Sequence, residues 1–481
     1  MPPASSPDLR DRPSDGVRRA PDRAAKVRFR RAITLMVMTL FLPGSAQLVA
    51  GNKRVGRIAI RVTAVLAGSV VVLLLASLLW HKLAFTLAFN LFTLDLARWV
   101  MMVAAIGWAA LFVDAWRLGQ PLTLVKNQRL AAVGINGVLC FSVAGTLLFG
   151  AHLVTVQRDF AALFANGPTS SAEHGRYNVL LMGGDSGAGR WGLRPDSMTV
   201  ASIDEETGRT VLIGLPRNLQ NFKFEPGSVM DKQFPDGFDC EGCYLNSVST
   251  WAGDHTDLFK GTKEPGTEAT ISAIEGVTGL KINYWAMVNL QGFKDLVDAV
   301  GGVTLTVRDR IPVGGLGDDV TGYIEPGTRK LNGFDALWYA RSREGSDDYS
   351  RMARQKCVMN AIATQISPQT VVANYSDLTS AGASMVETNL PRNEFPRFID
   401  LATKAKGQKI SSVAIAPPAI NTAEPDLAKI RAMVQKGIDK AEGKAGKPGK
   451  AKSNAPTNGA AIGTRDGGYA ANQSEDLASA C

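Results

Sequence analysis

A helical membrane region followed by a layered α/β/α domain with a mixed central sheet is the fold this sequence predicts. Three observations predict it. Residues 33–155 are mostly apolar, residues from about 176 alternate short strand-like runs with helical periodicity, and polar segments flank both stretches. The chain has 481 residues, room for two or three domains of roughly 150 residues each.

The first 32 residues carry nine Lys/Arg against four Asp. Such a run can bind nucleic acid, but directly before an apolar segment it marks the cytoplasmic side of a membrane protein. Residues 1–32 are therefore expected to be a disordered cytoplasmic tail, with no nucleic-acid partner. Ile33–Ala50 is apolar but broken at Pro43-Gly44, and Lys53, Arg54 and Arg57 follow it. Basic residues at both ends predict a hairpin over 33–50 that returns to the same side. Val62–Trp80, Trp99–Val113 (extended back to about residue 96) and Leu130–Gly150 contain no charge between their named ends. Each approaches the 20 or so residues that cross a bilayer. Arg117, Lys126 and Arg129 put the loop between the second and third spans in the cytoplasm. Three spans then predict a multi-pass cell-membrane protein with everything after about residue 155 outside. The long basic region and the repeated spans argue against a cleavable signal peptide.

The cysteines fit that location. Cys140 lies in a span, leaving Cys240, Cys243, Cys357 and Cys481 outside, where disulfides persist. Cys240-Glu-Gly-Cys243 has C-x-x-C spacing but no second pair or nearby His to complete a zinc site. Cys240 and Cys243 are expected to be oxidised, to each other or to Cys357.

Residues 156–175 read as a linker rich in Ala, Ser, Gly and Pro. The folded domain spans 176–366. Tyr177–Met182, Met198–Ile203, Thr210–Leu215, Tyr284–Val288 and Val303–Val307 read as strands. Helical patterns cover Thr267–Val277, Gly292–Val300 and Tyr349 to about Ile366. A weaker pattern over 367–439 reads as an extension of the same domain. Residues 440–481, with few large apolar residues, are expected to be disordered.

Candidate chemistry gathers at the element ends. Gly183-Gly184-Asp185 ends one strand and Arg194-Pro-Asp196-Ser197 opens the next. Paired carboxylates there suit Mg²⁺ (or Mn²⁺), a hard cation often shared with phosphate. The plainer alternative is that such Asp residues only cap turns. Arg217 follows the next strand. Trp338–Arg343, read as extended, puts Arg341 and Arg343 on one side as a paired guanidinium clamp, and Arg forks match phosphate oxygens. Asp348 sits near a helix N-cap, with Arg351 and Gln355 four apart on one face. A solvated surface of ion pairs to Glu344, Asp347 and Asp348 is the plainer account of these arginines. It does not explain why charges recur at so many strand and helix ends.

In order and spacing, six segments resemble the LytR-CpsA-Psr family. They are Asn178–Asp185, Arg194–Ser197, Pro216-Arg217, Leu296–Val303, Ala340–Arg343 and Asp348–Gln355. The membrane region is similar to that of the family's actinobacterial members, which carry more spans than most. The resemblance implies a phosphotransferase that moves an anionic glycopolymer, such as teichoic acid or arabinogalactan, from a polyprenyl pyrophosphate carrier to a peptidoglycan hydroxyl. The lipid would lie in an apolar tunnel between sheet and helices. It implies that Asp185 and Asp196 hold Mg²⁺, while Arg194, Arg217, Arg341, Arg343, Arg351 and Gln355 surround the pyrophosphate. Arg194, Arg217 and Asp348 would take part in catalysis, Asp348 by orienting an arginine or by helping deprotonate the acceptor. The family's usual Pro-Arg-Asp is Pro216-Arg217-Asn218 here, so no carboxylate role passes to Asn218. A membrane-anchored regulator of the transcriptional attenuator type, or a polyprenyl-pyrophosphate hydrolase, are the alternatives. The regulator would need a cytoplasmic reader, and residues 1–32 hold no helix-turn-helix pattern.

Overall fold

The computed structural model describes residues 15–164, 167–185, 194–315, 319–344, 346–365, 386–406, 408–444 and 481. The chain divides into two units, Met1–Ala161 and Ala162–Cys481.

The first unit is helical: α1 (Asp15–Phe41), α2 (Ser45–Ala50), α3 (Lys53–Leu79), α4 (His81–Phe89), α5 (Leu91–Leu118) and α6 (Lys126–Leu163). Helix α1 corrects the expectation of disorder across the whole basic tail. From Asp22 to Phe41 the sequence has no Gly or Pro, and Arg, Lys, Ala and Leu all favour helix. The break at Pro43-Gly44 is real, with Gly44 left-handed at φ 95°. A Cβ on Gly44 would lie 2.6 Å from the Ala59 Cβ, so only glycine lets α2 fold back so closely on α3. Trp108 Nε1 donates to Thr39 O (2.9 Å) and Gln47 Nε2 to Leu111 O (3.0 Å), tying this turn to α5. Three helices, Lys53–Leu79, Leu91–Thr123 and Lys126–Ala162, are long and apolar enough to cross a membrane. The second and third sequence-predicted spans fall within them, and the first overruns its helix by one residue, the C-cap Trp80. Helix α6 also runs into the stretch 156–175 read as linker, since no Gly or Pro follows Gly150 before Gly167-Pro168.

The second unit is a mixed sheet between helices. Its elements are β1 (Arg176–Asp185), β2 (Arg194–Asp204), β3 (Thr210–Leu215), α7 (Val229–Gln233), α8 (Val248–Asp254), α9 (Pro265–Thr278), β4 (Tyr284–Asn289) and α10 (Leu290–Ala299). They continue with β5 (Val303–Val307), β6 (Ile311–Gly314), β7 (Val320–Ile324), β8 (Gly327–Leu331), α11 (Gly333–Arg341) and α12 (Asp348–Gln365). The last are β9 (Val386–Thr388), α13 (Phe395–Ala405), β10 (Ser411–Ala414) and α14 (Leu427–Ala441). The central sheet has the order β10-β3-β2-β1-β4-β9, with β1–β4 and β3–β10 parallel and the other pairs antiparallel.

Strand alternation sorts the layers. Leu180, Met182, Val200, Val211, Ile213 and Leu215 turn one way into a core with α9 and α14, through Ala273, Ile274, Val277, Ile430 and Val434. On the other face, α12 lies over β3, where Gly214 leaves room for Lys356 and Met352. A second core joins α10, α11 and α12 to the antiparallel pairs β5–β8 and β6–β7. The segment 367–439, read as an extension, supplies both edge strands of the sheet; residues 366–385 lie outside the described residues. The ends of the expected tail 440–481 are also ordered: Lys440 and Ala441 close α14, and Cys481 is bonded to Cys357 on α12. Residues 445–480 lie outside the described residues. Cys240 and Cys243 pair with each other, and Cys140 is free.

Candidate functional site

The site is built where β1 and β3 end and β2 and α12 begin. β1 and β2 pair antiparallel, and after a register shift between Gly183 and Gly184 Asp185 stands opposite Arg194. Such an irregularity re-aims the residues beyond it, at the edge that also carries Asp196. The side chain of Asp185 lies outside the described residues.

Arg217, just past β3, donates from Nη1 to Asp196 Oδ1 at 2.8 Å, and its Nε lies 3.2 Å from Asp348 Oδ1. Asp347 caps α12 by accepting from the Ser350 amide at 2.9 Å, so Asp348 is the first residue inside the helix rather than its cap. From there Asp348 Oδ1 also lies 3.2 Å from Arg351 Nη2 and 3.7 Å from Arg343 Nη1. Arg351 Nη2 donates to the Asp196 backbone carbonyl at 2.8 Å. One carboxylate thus gathers three guanidiniums. Contact with three guanidiniums at once favours the arginine-orienting role among the two expected for Asp348.

The charges are unbalanced. Burial works against the ionised form of Asp196, but the hydrogen bond and charge of Arg217, with Arg351 and Asn246, hold it below the usual carboxylate range. Arg343 is pushed down by burial first and then by the neighbouring Arg217, with Arg341 adding to the repulsion. Arg351 is pushed down chiefly by burial. Nε of Arg194 and Nε of Arg351 are buried and find no hydrogen-bond partner among the described residues. Crowded cations with unused donors match an anion with several oxygens. Beside them opens a cavity of about 440 Å³ lined by Arg217, Asn218, Arg343, Glu344, Ser346, Asp347 and Asp348. Asn218 donates from Nδ2 to the Tyr349 hydroxyl at 3.4 Å, while its Oδ1 is buried without a partner among the described residues.

One expectation is corrected here. The Trp338–Arg343 segment is not extended: α11 runs to Arg341, so Arg341 and Arg343 straddle a helix end instead of alternating along a strand. Arg341 lies over the Trp338 ring, 5.7 Å from its centroid and one turn away on the helix. The helix signal is Asn332, whose side chain accepts from the Asp335 amide as an N-cap. Gln355 sits inside the protein network. Its Oε1 accepts from Ser197 Oγ at 3.0 Å and its Nε2 donates to Ala340 O at 3.3 Å, so it braces β2 against α11.

Two residues escaped sequence reasoning. Arg354, 1% exposed, donates from Nε to Tyr339 O at 2.6 Å and also bonds the Ser342 carbonyl, pinning the end of α11 between Arg341 and Arg343. Burial pushes its guanidinium down to about 10. Asn246, 2% exposed, donates to Asp196 Oδ1 at 3.3 Å. Neither could be told from a surface polar residue without the fold, though Arg354 lies inside the Asp348–Gln355 segment.

Among the described residues, no group of three His, Cys, Asp or Glu could hold a metal ion. Mg²⁺ needs less, since it commonly uses one or two carboxylates and takes its remaining oxygens from water and a phosphate ligand. Asp196 fits that requirement, because both of its side-chain donors fall on Oδ1 and Oδ2 meets no donor among the described residues.

The family model for the LytR_cpsA_psr family matches residues 156–426, more than half of the chain. Biofilm regulatory protein A of Streptococcus mutans is 26% identical over 270 residues, covering 54% of this chain and 62% of that protein. The polyisoprenyl-teichoic acid–peptidoglycan teichoic acid transferase TagV of Bacillus subtilis is 24% identical over 278 residues, covering 55% of this chain and 65% of that protein. The chain thus spans less than two thirds of the length of these relatives. The crystal structure of B. subtilis TagV matches at 22% identity with a TM-score of 0.42, covering 56% of this chain and 98% of that one. With its motifs in order and the family model matching from the end of the membrane region to the start of the last helix, this chain belongs to the LytR-CpsA-Psr family.

Proposed function

We propose that this protein is a phosphotransferase of cell-wall assembly. It moves an anionic glycopolymer from a polyprenyl pyrophosphate carrier to a peptidoglycan hydroxyl. The acceptor oxygen bonds to the sugar-proximal phosphorus, the bond from that phosphorus to the polyprenyl phosphate breaks, and a phosphodiester remains. The hydroxyl proton leaves to solvent or to the departing phosphate. The protein sits in the cell membrane through its three apolar helices, with the unit from Ala162 onward outside the cytoplasm. The TagV relative is named for transfer of teichoic acid from a polyisoprenyl carrier to peptidoglycan, which supports this class of reaction.

The observation that carries the reading is the Asp348-centred cluster of Arg217, Arg343 and Arg351 beside Asp196. Arg194, Arg341, Arg343 and Arg351 supply fixed donors for phosphate oxygens that gain charge as the bond breaks. Preorganised positive charge of this kind is the main catalytic resource in phosphoryl transfer. Asp196, with Asp185, would hold Mg²⁺ (or Mn²⁺), which would neutralise charge on the pyrophosphate. Arg217 orients Asp196, and Gln355 keeps β2 and α11 in register around the ligand. The pyrophosphate bond itself supplies the driving force, so no nucleotide is needed.

The test is release of polyprenyl monophosphate from a polyprenyl-pyrophosphate glycan by the purified full-length protein. Asp196→Asn should retain the fold and lose release to background, as should excess chelator with the unaltered protein. Full release under either condition contradicts the metal-assisted reading.

A further inference from the structure

The segment after the Cys240–Cys243 pair has no part in the chemistry described so far, yet it touches the centre of the site. Leu245 N donates to Leu219 O at 2.9 Å and Asn246 N donates to Arg217 O at 3.0 Å, so residues 245–246 lie along the chain that leaves β3. Ser247 closes the turn by accepting from the Tyr244 amide at 3.0 Å. Leu245 belongs to the main core and is fully buried, which fixes the height of its neighbour. Asn246 is thereby buried at 2% exposure with Nδ2 3.3 Å from Asp196 Oδ1.

The same oxygen receives Arg217 Nη1 at 2.8 Å. Two donors from different segments therefore converge on one carboxylate oxygen. A carboxylate held through a single donor can still rotate about its own axis and exchange oxygens. A second donor on the same oxygen, from a side chain locked by burial, removes that freedom and gives the other oxygen one direction.

We propose that Asn246 is a positioning residue of this site: with Arg217 it fixes Asp196 Oδ1, so that Oδ2 is presented to a divalent cation shared with the pyrophosphate. Asn246 does not touch the reacting atoms. It acts through Asp196, and the inference rests on the metal-assisted reading proposed above.

The experiment is a titration of Mn²⁺ into the full-length protein, followed by electron paramagnetic resonance, with geranyl pyrophosphate as the soluble probe. Asn246→Ala should weaken Mn²⁺ binding roughly tenfold, the loss expected when one hydrogen bond to a charged acceptor worth about 1.5 kcal/mol is removed. Asn246→Ser, which keeps a short donor, should recover part of that loss. Should the Ala variant fail to fold, the Ser variant still carries the test, with binding expected between those of the unaltered protein and Asp196→Asn. Unchanged binding in folded Asn246 variants, beside lost binding in Asp196→Asn, overturns the positioning role alone. No saturable Mn²⁺ binding by the unaltered protein overturns the metal reading itself. Weakened binding that tracks a fall in thermal stability and is not recovered by Ser makes Asn246 structural only, and also overturns the proposal.

Discussion

Lys356 shows how much a single residue can be at odds with its surroundings. It lies on α12 over Gly214, with an amine that is fully buried and has no hydrogen-bond partner among the described residues. Burial alone pushes it down from 10.5 to about 7. The unfolded chain therefore binds this proton more readily than the folded one between about pH 7 and pH 10.5. The sign follows from linkage: this group penalises folding fully below about 7, and the penalty fades as pH rises towards 10.5. Lys356→Met should raise the thermal midpoint at pH 6.5 and converge on the unaltered protein at high pH. An equal shift at every pH would show that the amine is not the cause. At Arg343 the expectation is opposite in kind. A Lys there keeps charge but loses the planar fork. Each lost charged hydrogen bond costs about 1.5–3 kcal/mol, or roughly ten- to a hundredfold in rate if it is made in the transition state. Arg343→Lys should therefore lose transfer nearly as badly as Arg343→Ala, with little change in thermal stability. Near-normal transfer by the Lys variant would return Arg343 to the ordinary surface.

At the scale of elements, α12 is the member on which the site depends. It presents Asp348, Arg351 and Gln355 towards the strand ends and buries Arg354 under the end of α11. Through Cys357 it is bonded to Cys481, 124 positions along the chain. Closing so long a loop restricts the unfolded chain, and loss of a native disulfide typically costs about 2–5 kcal/mol. Cys481→Ser should lower the thermal midpoint measured without reductant, and reductant should then have less further effect than on the unaltered protein. An unchanged midpoint would show that the bond does not support α12. The strands were the most legible elements, because β3 and β5 carry short apolar or alternating runs bounded by turn residues. The stretch before Arg341 misled, since Trp338-Tyr-Ala-Arg suits a strand or a helix, and its decisive cap lies farther back at Asn332. Asn246 left no local signal at all. Its meaning comes from contact with Asp196, fifty residues earlier, which only the folded sheet brings about.

For the whole molecule, the division into an apolar helical unit and a mixed-sheet unit follows from hydropathy and periodicity, and these are read along the sequence. The joining of β9 and β10 to the sheet depends on tertiary packing instead, which weak local patterns do not reveal. Topology is open to direct measurement. A single Cys placed at Ser171 should react with a membrane-impermeant reagent on intact cells. Labelling only after lysis would put the charged site on the wrong side of the membrane for a wall acceptor. Transfer of a glycan by the arginine-gathered site, as opposed to hydrolysis of its carrier, is read from the products. The most direct measurement is mass spectrometry of the products formed by the purified full-length protein from a polyprenyl-pyrophosphate glycan, a peptidoglycan fragment and Mg²⁺. Transfer yields polyprenyl monophosphate together with glycan joined to the fragment through one phosphate. Polyprenyl monophosphate accompanied only by free glycan phosphate would contradict it.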